Sequence, residues 1–155
     1  MALDYGRRRI GVAITDPTRT IATPHGVIER PKRGAPGSAL PGELIVLVTE
    51  VEPEAVLVGI PFSMDGTAGA MAEEARAFAQ ALREATGVRT IEWDERLSTA
   101  RAEREIVTMQ LPRGKRGRKG RADELAASLM LSAYLRSAAA PGTEASVSGP
   151  GLESQ

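Results

Sequence analysis

The chain has 155 residues, 42% of them apolar, and its 20 basic and 20 acidic side chains give a formal net charge of zero. This length fits one domain with a single core, and the absence of cysteine excludes a disulfide framework, a zinc–thiolate site and a thiol nucleophile. There is no signal peptide and no apolar run near the ~20 residues that span a bilayer, so we expect a cytoplasmic protein with no membrane partner.

The first part of the chain is predicted to form an antiparallel meander. Strands are expected at Met1–Tyr5, at Arg9–Thr15 and around Ile21–Ile28, because apolar and β-branched residues recur there between turn residues. The turns are placed at Gly6–Arg8 and Asp16–Pro17. A loop rich in proline and glycine follows.

The rest of the chain is predicted to alternate helices and strands. Two of its segments are continuous apolar runs, which is typical of strands buried on both faces. The predicted elements are a helix from near Pro41, a strand at Ala55–Gly59, a helix ending at Gly87, a strand at Val88–Asp94, a helix from Ser98 to about Gln110 and a helix from about Asp123 to Ala138.

Together these elements predict an α/β fold. Three meander strands followed by parallel strands give a mixed five-stranded sheet with helices on both faces. Residues 1–140 would form this domain. Residues 141–155 are rich in glycine, serine and proline, so we expect a disordered C-terminal tail.

Three acidic positions are candidates for a metal site. Asp4 lies in the first strand, Asp94 and Glu95 end the fifth strand, and Asp123 opens the last helix. Carboxylates at strand ends and at a facing helix are suited to holding Mg²⁺ or Mn²⁺ against a phosphodiester. In an extended segment only one of Asp94 and Glu95 can face Asp4, and we favour Glu95.

Each of these residues also has a simpler interpretation. Asp94, Glu95 and Arg96 can form a local ion pair at a strand end, since such pairs are common. Asp123 can be a carboxylate favoured by the helix dipole. Only the combination of the three positions favours the metal site.

Positive charge is concentrated in one segment. Of the nine residues from 113 to 121, three are glycine and six are basic, so the rest of the chain carries a net charge of minus six. Glycine predicts a mobile loop, and its charge would attract phosphate beside Asp123; the alternative is a solvated connector. Arg7 and Arg8, in the first turn, are further candidates for nucleic-acid contact. The basic residues are Arg113, Lys115, Arg116, Arg118, Lys119 and Arg121.

Five segments, in this order, resemble the YqgF family. This is an RNase H-like group known both as Holliday junction resolvases and as nucleases that mature the 5′ end of pre-16S rRNA. The resemblance covers roughly Met1 to Arg136. The segments are Asp4–Ala13, Asp16–Pro17, Val58–Gly69, Asp94–Glu103 and Asp123–Ala127.

The resemblance implies an RNase H-like fold and a metal-dependent endonuclease. It implies an acidic triad of Asp4, Glu95 and Asp123, with Asp94 as a neighbouring metal ligand, and Mg²⁺ or Mn²⁺ as cofactor. Family members usually carry several residues ahead of the first aspartate, whereas three precede Asp4 here. Because chain termini fray unless tied down, two alternatives are open: the first ligand is held loosely, or the true start of the chain lies upstream.

Three functions remain open at this point. We favour a ribonuclease that processes the 5′ end of pre-16S rRNA in ribosome biogenesis, acting as a monomer on structured RNA. A resolvase acting on branched DNA would need a two-fold dimer, and each predicted helix shows only one apolar face, which its own sheet can bury. The third possibility is a catalytically silent nucleic-acid-binding module.

Overall fold

The computed structural model describes residues 1–31, 39–97, 99 and 117–139. The helix predicted from Ser98 to Gln110, residues 113–116 of the basic segment and the C-terminal tail therefore lie outside the described residues. The described elements are β1 Ala2–Tyr5, β2 Arg9–Thr15, β3 Ala22–Glu29, α1 Gly42–Val51, β4 Val56–Ile60, α2 Ala70–Thr86, β5 Thr90–Asp94, a 3₁₀ helix Glu95–Leu97 and α3 Gly117–Ala139.

The strands form one five-stranded sheet in the order β3-β2-β1-β4-β5. β1 pairs antiparallel with β2, which pairs antiparallel with β3, whereas β4 is parallel to both β1 and β5. The predicted mixed sheet, with a meander followed by parallel strands, is confirmed. β1 is the central strand, so its side chains are covered on both faces.

Helices cover both faces of the sheet and divide the core in two. On one face Leu3 and Tyr5 pack with α1 and α2, including the fully buried Phe78. On the other face Ala2 and Leu57 pack with the apolar residues of α3. The two faces follow from the alternation of side chains along β1. Within the described residues, no helix is both long and apolar enough to cross a membrane.

The N-terminal strand is tied down rather than loosely held. The carbonyl of Met1 accepts a hydrogen bond from the amide of Leu57 at 2.9 Å, and its amino group donates to the carbonyl of Ala55 at 3.3 Å. Met1 is itself buried. The expectation of a loosely held Asp4 is therefore wrong, because β1 is clamped between two strands from its first residues.

The fifth strand is less buried than its sequence predicts. β5 begins at Thr90 rather than Val88, since Gly87 ends α2 with a positive φ of 72° and two residues are needed to re-enter the sheet. Its five residues are partly or fully exposed, whereas all five of β4 are buried. The difference arises because β5 lies at the edge of the sheet.

The last helix begins earlier than predicted. α3 starts at Gly117, so the C-terminal part of the basic segment is helical rather than a loop, and Asp123 lies beyond the first turn. Each glycine costs a helix about 1 kcal/mol, but packing on the sheet outweighs this cost. At Gly120 the helix packs on β3, since an added Cβ would lie 3.5 Å from Cγ2 of Val27, an ordinary van der Waals contact. The helix dipole acts mainly in the first turn, so it does not explain Asp123.

At Gly11 of β2 the backbone of α3 packs directly on the sheet. A Cβ placed on Gly11 would lie 2.1 Å from the carbonyl oxygen of Asp123 and 2.9 Å from the amide nitrogen of Glu124. Both are backbone atoms, which cannot move without shifting the helix. Glycine at position 11 therefore sets the distance between α3 and β2.

We predict that Gly11→Ala destabilises the protein by about 1–3 kcal/mol, as overpacking of a close contact does. The matched control is Gly42→Ala, since a Cβ at Gly42 meets no atom within 4 Å. Urea denaturation should show a lower midpoint for Gly11→Ala and an unchanged or slightly higher one for Gly42→Ala. Equal midpoints for Gly11→Ala and the unmodified protein would contradict this account of the contact.

Candidate active site

The site is built around Asp4, the buried carboxylate of the central strand, which is only 3% exposed. Asp4 pairs across β1 and β2 with Gly11. On its other side the parallel pairing of Leu3 with Val58 places Gly59 of β4 next to Asp4. Because side chains alternate, Asp4 points to the α3 face, between two glycines over which neighbouring groups pack closely.

Glu95 reaches this same space from the end of β5. It begins the 3₁₀ helix and is only 8% exposed. A Cβ placed on Gly59 would lie 2.9 Å from Oε1 of Glu95, so the carboxylate lies directly over that glycine. Leu57, two residues before Gly59 in β4, packs on the α3 face, so Gly59 and the Glu95 carboxylate over it lie on that face too. Glu95 and Asp4 therefore lie on the same face of the sheet.

Asp94 has a different role from its neighbour. Its Oδ2 accepts a hydrogen bond from Nη2 of Arg96 at 2.6 Å, and its Oδ1 accepts one from the Arg96 amide at 2.9 Å. These hydrogen bonds hold the pKa of Asp94 below its ordinary value, with the Arg96 side chain as the main cause. The simpler interpretation, a local ion pair at a strand end, describes this residue.

Asp123 reaches the site from α3. Its backbone lies on Gly11, the residue that pairs with Asp4, and its Oδ2 lies 3.2 Å from Nε of Arg9. Both side chains of this ion pair are partly buried, with 26% of Arg9 and 20% of Asp123 exposed. The fold therefore brings Asp4, Glu95 and Asp123 to one side of the sheet, with an arginine beside the third carboxylate.

The residues present fit a hard divalent cation. All three candidate ligands offer carboxylate oxygens, which Mg²⁺ and Mn²⁺ prefer, and the absence of a Cβ at Gly11 and Gly59 lets α3 and the Glu95 carboxylate approach the strand that carries Asp4. Among the described residues, no three acidic or histidine side chains are already close enough together to enclose an ion. Carboxylates carry like charges and repel one another. In the structure Asp123 pairs instead with Arg9.

The turn between β1 and β2 is anchored on the opposite face of the sheet. Arg7 donates to both oxygens of Glu74, at 2.7 Å from Nη2 and 3.0 Å from Nε, which lowers the pKa of Glu74. Tyr5 donates to the same carboxylate at 3.3 Å and accepts from Arg30 at 2.8 Å. Of the two predicted nucleic-acid contacts in this turn, Arg7 is thus bound to α2, whereas Arg8 is exposed.

The described part of the basic segment lies at the start of α3. Arg118 and Lys119 belong to the first helical turn, and Arg121 is exposed two residues before Asp123. Arg113, Lys115 and Arg116 lie outside the described residues. The helix therefore carries positive charge to the neighbourhood of the candidate site.

Two glycines and one ion pair were missed by reasoning from the sequence. Gly11 and Gly59 interrupt strands of otherwise apolar residues, and a glycine inside a strand often marks a close approach of another backbone or a ligand. This signal was present in the sequence. The pairing of Arg9 with Asp123 spans the chain from β2 to α3, so no local pattern predicts it.

The fold is similar to that of two solved structures. The chain superposes on the structure titled "T. thermophilus RuvC in complex with Holliday junction substrate" with a TM-score of 0.54 and 17% identity, covering 87% of this chain and 92% of that one. A second structure, of Thermus thermophilus RuvC, gives a TM-score of 0.52 at 20% identity and covers 88% and 94% of the two chains. At this level of identity the likeness establishes the RNase H-like fold.

Curated relatives are more similar in sequence. A protein of Halothermothrix orenii is 41% identical over 87% of this chain and 92% of its own length, and one of Agrobacterium fabrum is 39% identical over 86% and 80%. Both carry the name "Putative pre-16S rRNA nuclease". A family model described as "RuvX: Holliday junction resolvase" matches residues 1–137. The chain therefore belongs to the RuvX family of RNase H-like nucleases, which confirms the YqgF resemblance drawn from its motifs.

Proposed function

We propose that this protein is a metal-dependent endonuclease that processes the 5′ end of pre-16S rRNA in the cytoplasm. The observation that carries the proposal is the position of Glu95 and Asp123 over the two glycines that flank Asp4. Three acidic residues from distant parts of the chain thereby share one side of a nuclease fold. A binding module would gain nothing from burying carboxylates near a polyanion.

Asp4, Glu95 and Asp123 are the residues that would hold Mg²⁺ or Mn²⁺. When bound, the cation lowers the pKa of the attacking water and stabilises the charge on the leaving 3′ oxygen. Asp4 is fixed by the central strand. The burial of Glu95 keeps bulk water away from its carboxylate, which lies over Gly59. Arg9, paired with Asp123, adds a positive charge suited to a phosphate at the same edge.

The substrate is inferred from the relatives. Those at 39% and 41% identity are named for pre-16S rRNA, and this chain covers 80% and 92% of their lengths. The family model is described by Holliday junctions instead. We favour structured RNA cut by a monomer, and branched DNA cut by a two-fold dimer is the second candidate, since symmetric cuts need two sites.

We predict that the purified protein with Mg²⁺ or Mn²⁺ cuts a pre-16S fragment at the mature 5′ end and leaves a four-way DNA junction intact. Asp4→Asn should abolish this cleavage and keep the melting temperature, since the substitution preserves shape but removes the charge of a metal ligand. Both substrates should be assayed side by side, with sedimentation to give the oligomeric state.

Two outcomes would contradict this proposal in different ways. A dimer that cuts the junction symmetrically and ignores the RNA would favour the resolvase. Cleavage by Asp4→Asn at the unmodified rate, with contaminating nuclease excluded, would overturn the metal mechanism itself.

The neighbouring pair Asp94 and Glu95 should respond differently to substitution. We expect Glu95→Gln to abolish cleavage and to weaken Mn²⁺ binding, because its buried carboxylate lies over Gly59, next to Asp4. We expect Asp94→Asn to retain most of the cleavage activity and most of the Mn²⁺ affinity, since Asp94 pairs with Arg96. Isothermal titration with Mn²⁺ and single-turnover cleavage measure the two effects, and a greater loss in Asp94→Asn would reverse the assignment.

The basic segment should supply contacts with phosphate. Replacing its six basic residues with glutamine should weaken RNA binding and flatten its salt dependence, since each phosphate contact adds roughly 0.7 to 0.9 to the slope of log K against log salt. A control with Arg83 and Arg89 replaced removes charge elsewhere and should leave the slope nearly unchanged. An unaltered slope in the first variant would identify the segment as a solvated connector. The replaced residues are Arg113, Lys115, Arg116, Arg118, Lys119 and Arg121.

A further inference from the structure

The loop between β4 and α2 exposes a large apolar side chain. Met64 is 92% exposed, more than Leu97 at 66%, Ile21 at 62% or Val46 at 54%, the other exposed large apolar residues of the described chain. A single exposed apolar residue is normal on a protein surface. Met64 differs from the others in how its loop is built and where the loop lies.

The loop around Met64 is braced by its own hydrogen bonds. The amide of Ser63 donates to the carbonyl of Thr67 at 3.0 Å, and the amide of Gly66 donates to the carbonyl of Ser63 at 2.8 Å. Oδ1 of Asp65 accepts from the amide of Thr67 at 2.9 Å and from its hydroxyl at 2.7 Å. The exposure of Met64 therefore belongs to a defined conformation of the loop, in which the side chain is presented to solvent.

The base of the loop packs on the α1 and α2 face of the sheet, and its tip meets the residue that follows Glu95. The guanidinium carbons of Arg76 and Arg96 lie 5.3 and 5.2 Å from the centre of the Phe62 ring. A Cβ on Gly66 would lie 3.3 Å from Nη1 of Arg96, so the tip of the loop contacts this arginine. Arg96 follows Glu95 directly in the chain. The loop thus borders the edge of the sheet that carries the buried carboxylates.

The chemistry of the tip suits a nucleobase better than a phosphate, because the charge of Arg96 beside it is offset by Asp94 and Asp65. Next to the Met64 thioether the tip carries the carboxylate of Asp65, whose hydrogen bonds from Thr67 lower its pKa and keep it charged. A negative charge repels the nucleic-acid backbone, whereas sulfur is polarizable and packs well on aromatic faces. Apolar side chains such as methionine are used by proteins that unstack or kink nucleic acids.

We propose that Met64 packs against an unstacked nucleobase of the substrate, close to the phosphodiester that is cut. This inference rests on the proposed function and adds to it a contact that holds the base beside the scissile bond. The expected substrate feature is a single-stranded or strained step at the cleavage site. Duplex with uninterrupted stacking would not offer a base to this side chain.

The experiment uses the full chain carrying Asp4→Asn, so that bound probe is not cut, with Mg²⁺ present. The probe is a pre-16S fragment with 2-aminopurine next to the mature 5′ end, and a four-way DNA junction with 2-aminopurine at the branch serves as a second probe. Met64→Ser is compared with Met64→Leu and with Ile21→Ser. Ile21 is also apolar and exposed. It lies just before β3, at the Thr15 end of β2, whereas Arg9 is at the opposite end of that strand.

Met64→Ser should weaken binding about fivefold and abolish the fluorescence change of 2-aminopurine. The slope of log K against log salt should stay the same, since no phosphate contact is removed. Met64→Leu should restore most of the affinity, and Ile21→Ser should behave as the parent. Because Met64 is so exposed, the melting temperature should not change.

A second measurement needs no substitution at position 64. Peroxide oxidation of Met64, followed by mass spectrometry, should slow when the probe is bound, while oxidation of an added methionine peptide should not change. If Met64→Ser matches the parent in affinity and fluorescence, or if Met64 is not protected, the inference is wrong and the proposed function stands. If the parent binds neither probe, the proposed function fails and this inference fails with it.

Discussion

The structure depends on the close approach of neighbouring groups at two glycines, one on each side of a buried aspartate. Gly11 lets the backbone of α3 lie directly on β2, and Gly59 leaves room for the carboxylate of Glu95. Asp4 lies in the strand between them. It is thereby enclosed by β2, by the backbone of α3 and by the carboxylate of Glu95. Any side chain at either glycine would push one of the acidic residues away from Asp4.

The opposite face of the sheet supplies the rigidity that this arrangement needs. There the Tyr5 ring packs 5.2 Å from Phe78, and Arg30 lies 4.7 Å above Tyr5. Arg30 also donates to the Gly6 carbonyl at 3.2 Å, which anchors the turn after β1. Since adjacent residues of a strand face opposite ways, fixing Tyr5 on one face also fixes Asp4 on the other. Stability and site geometry are therefore set by the same short strand.

The sequence predicted the sheet well because its signals are local. Alternation in β1 and β2 and the continuous apolar run of β4 identify strands and their faces. The start of α3 was missed because glycine disfavours helices, while packing against Val27 is a tertiary effect that overrides this preference. The pairing of Arg9 with Asp123 was missed because it joins residues more than a hundred positions apart. The exposure of Met64 likewise appears only in the folded loop.

The central claim is that Asp4, Glu95 and Asp123 hold one divalent cation or a pair of cations. The most direct measurement is a crystal structure of the protein soaked in Mn²⁺, with anomalous scattering used to locate the metal. The account predicts anomalous density within about 2.0–2.6 Å of carboxylate oxygens from Asp4 and Glu95, with Asp123 turned from Arg9 toward the metal. Strong density at another site, with none at the Asp4 carboxylate, would contradict this assignment of the metal ligands.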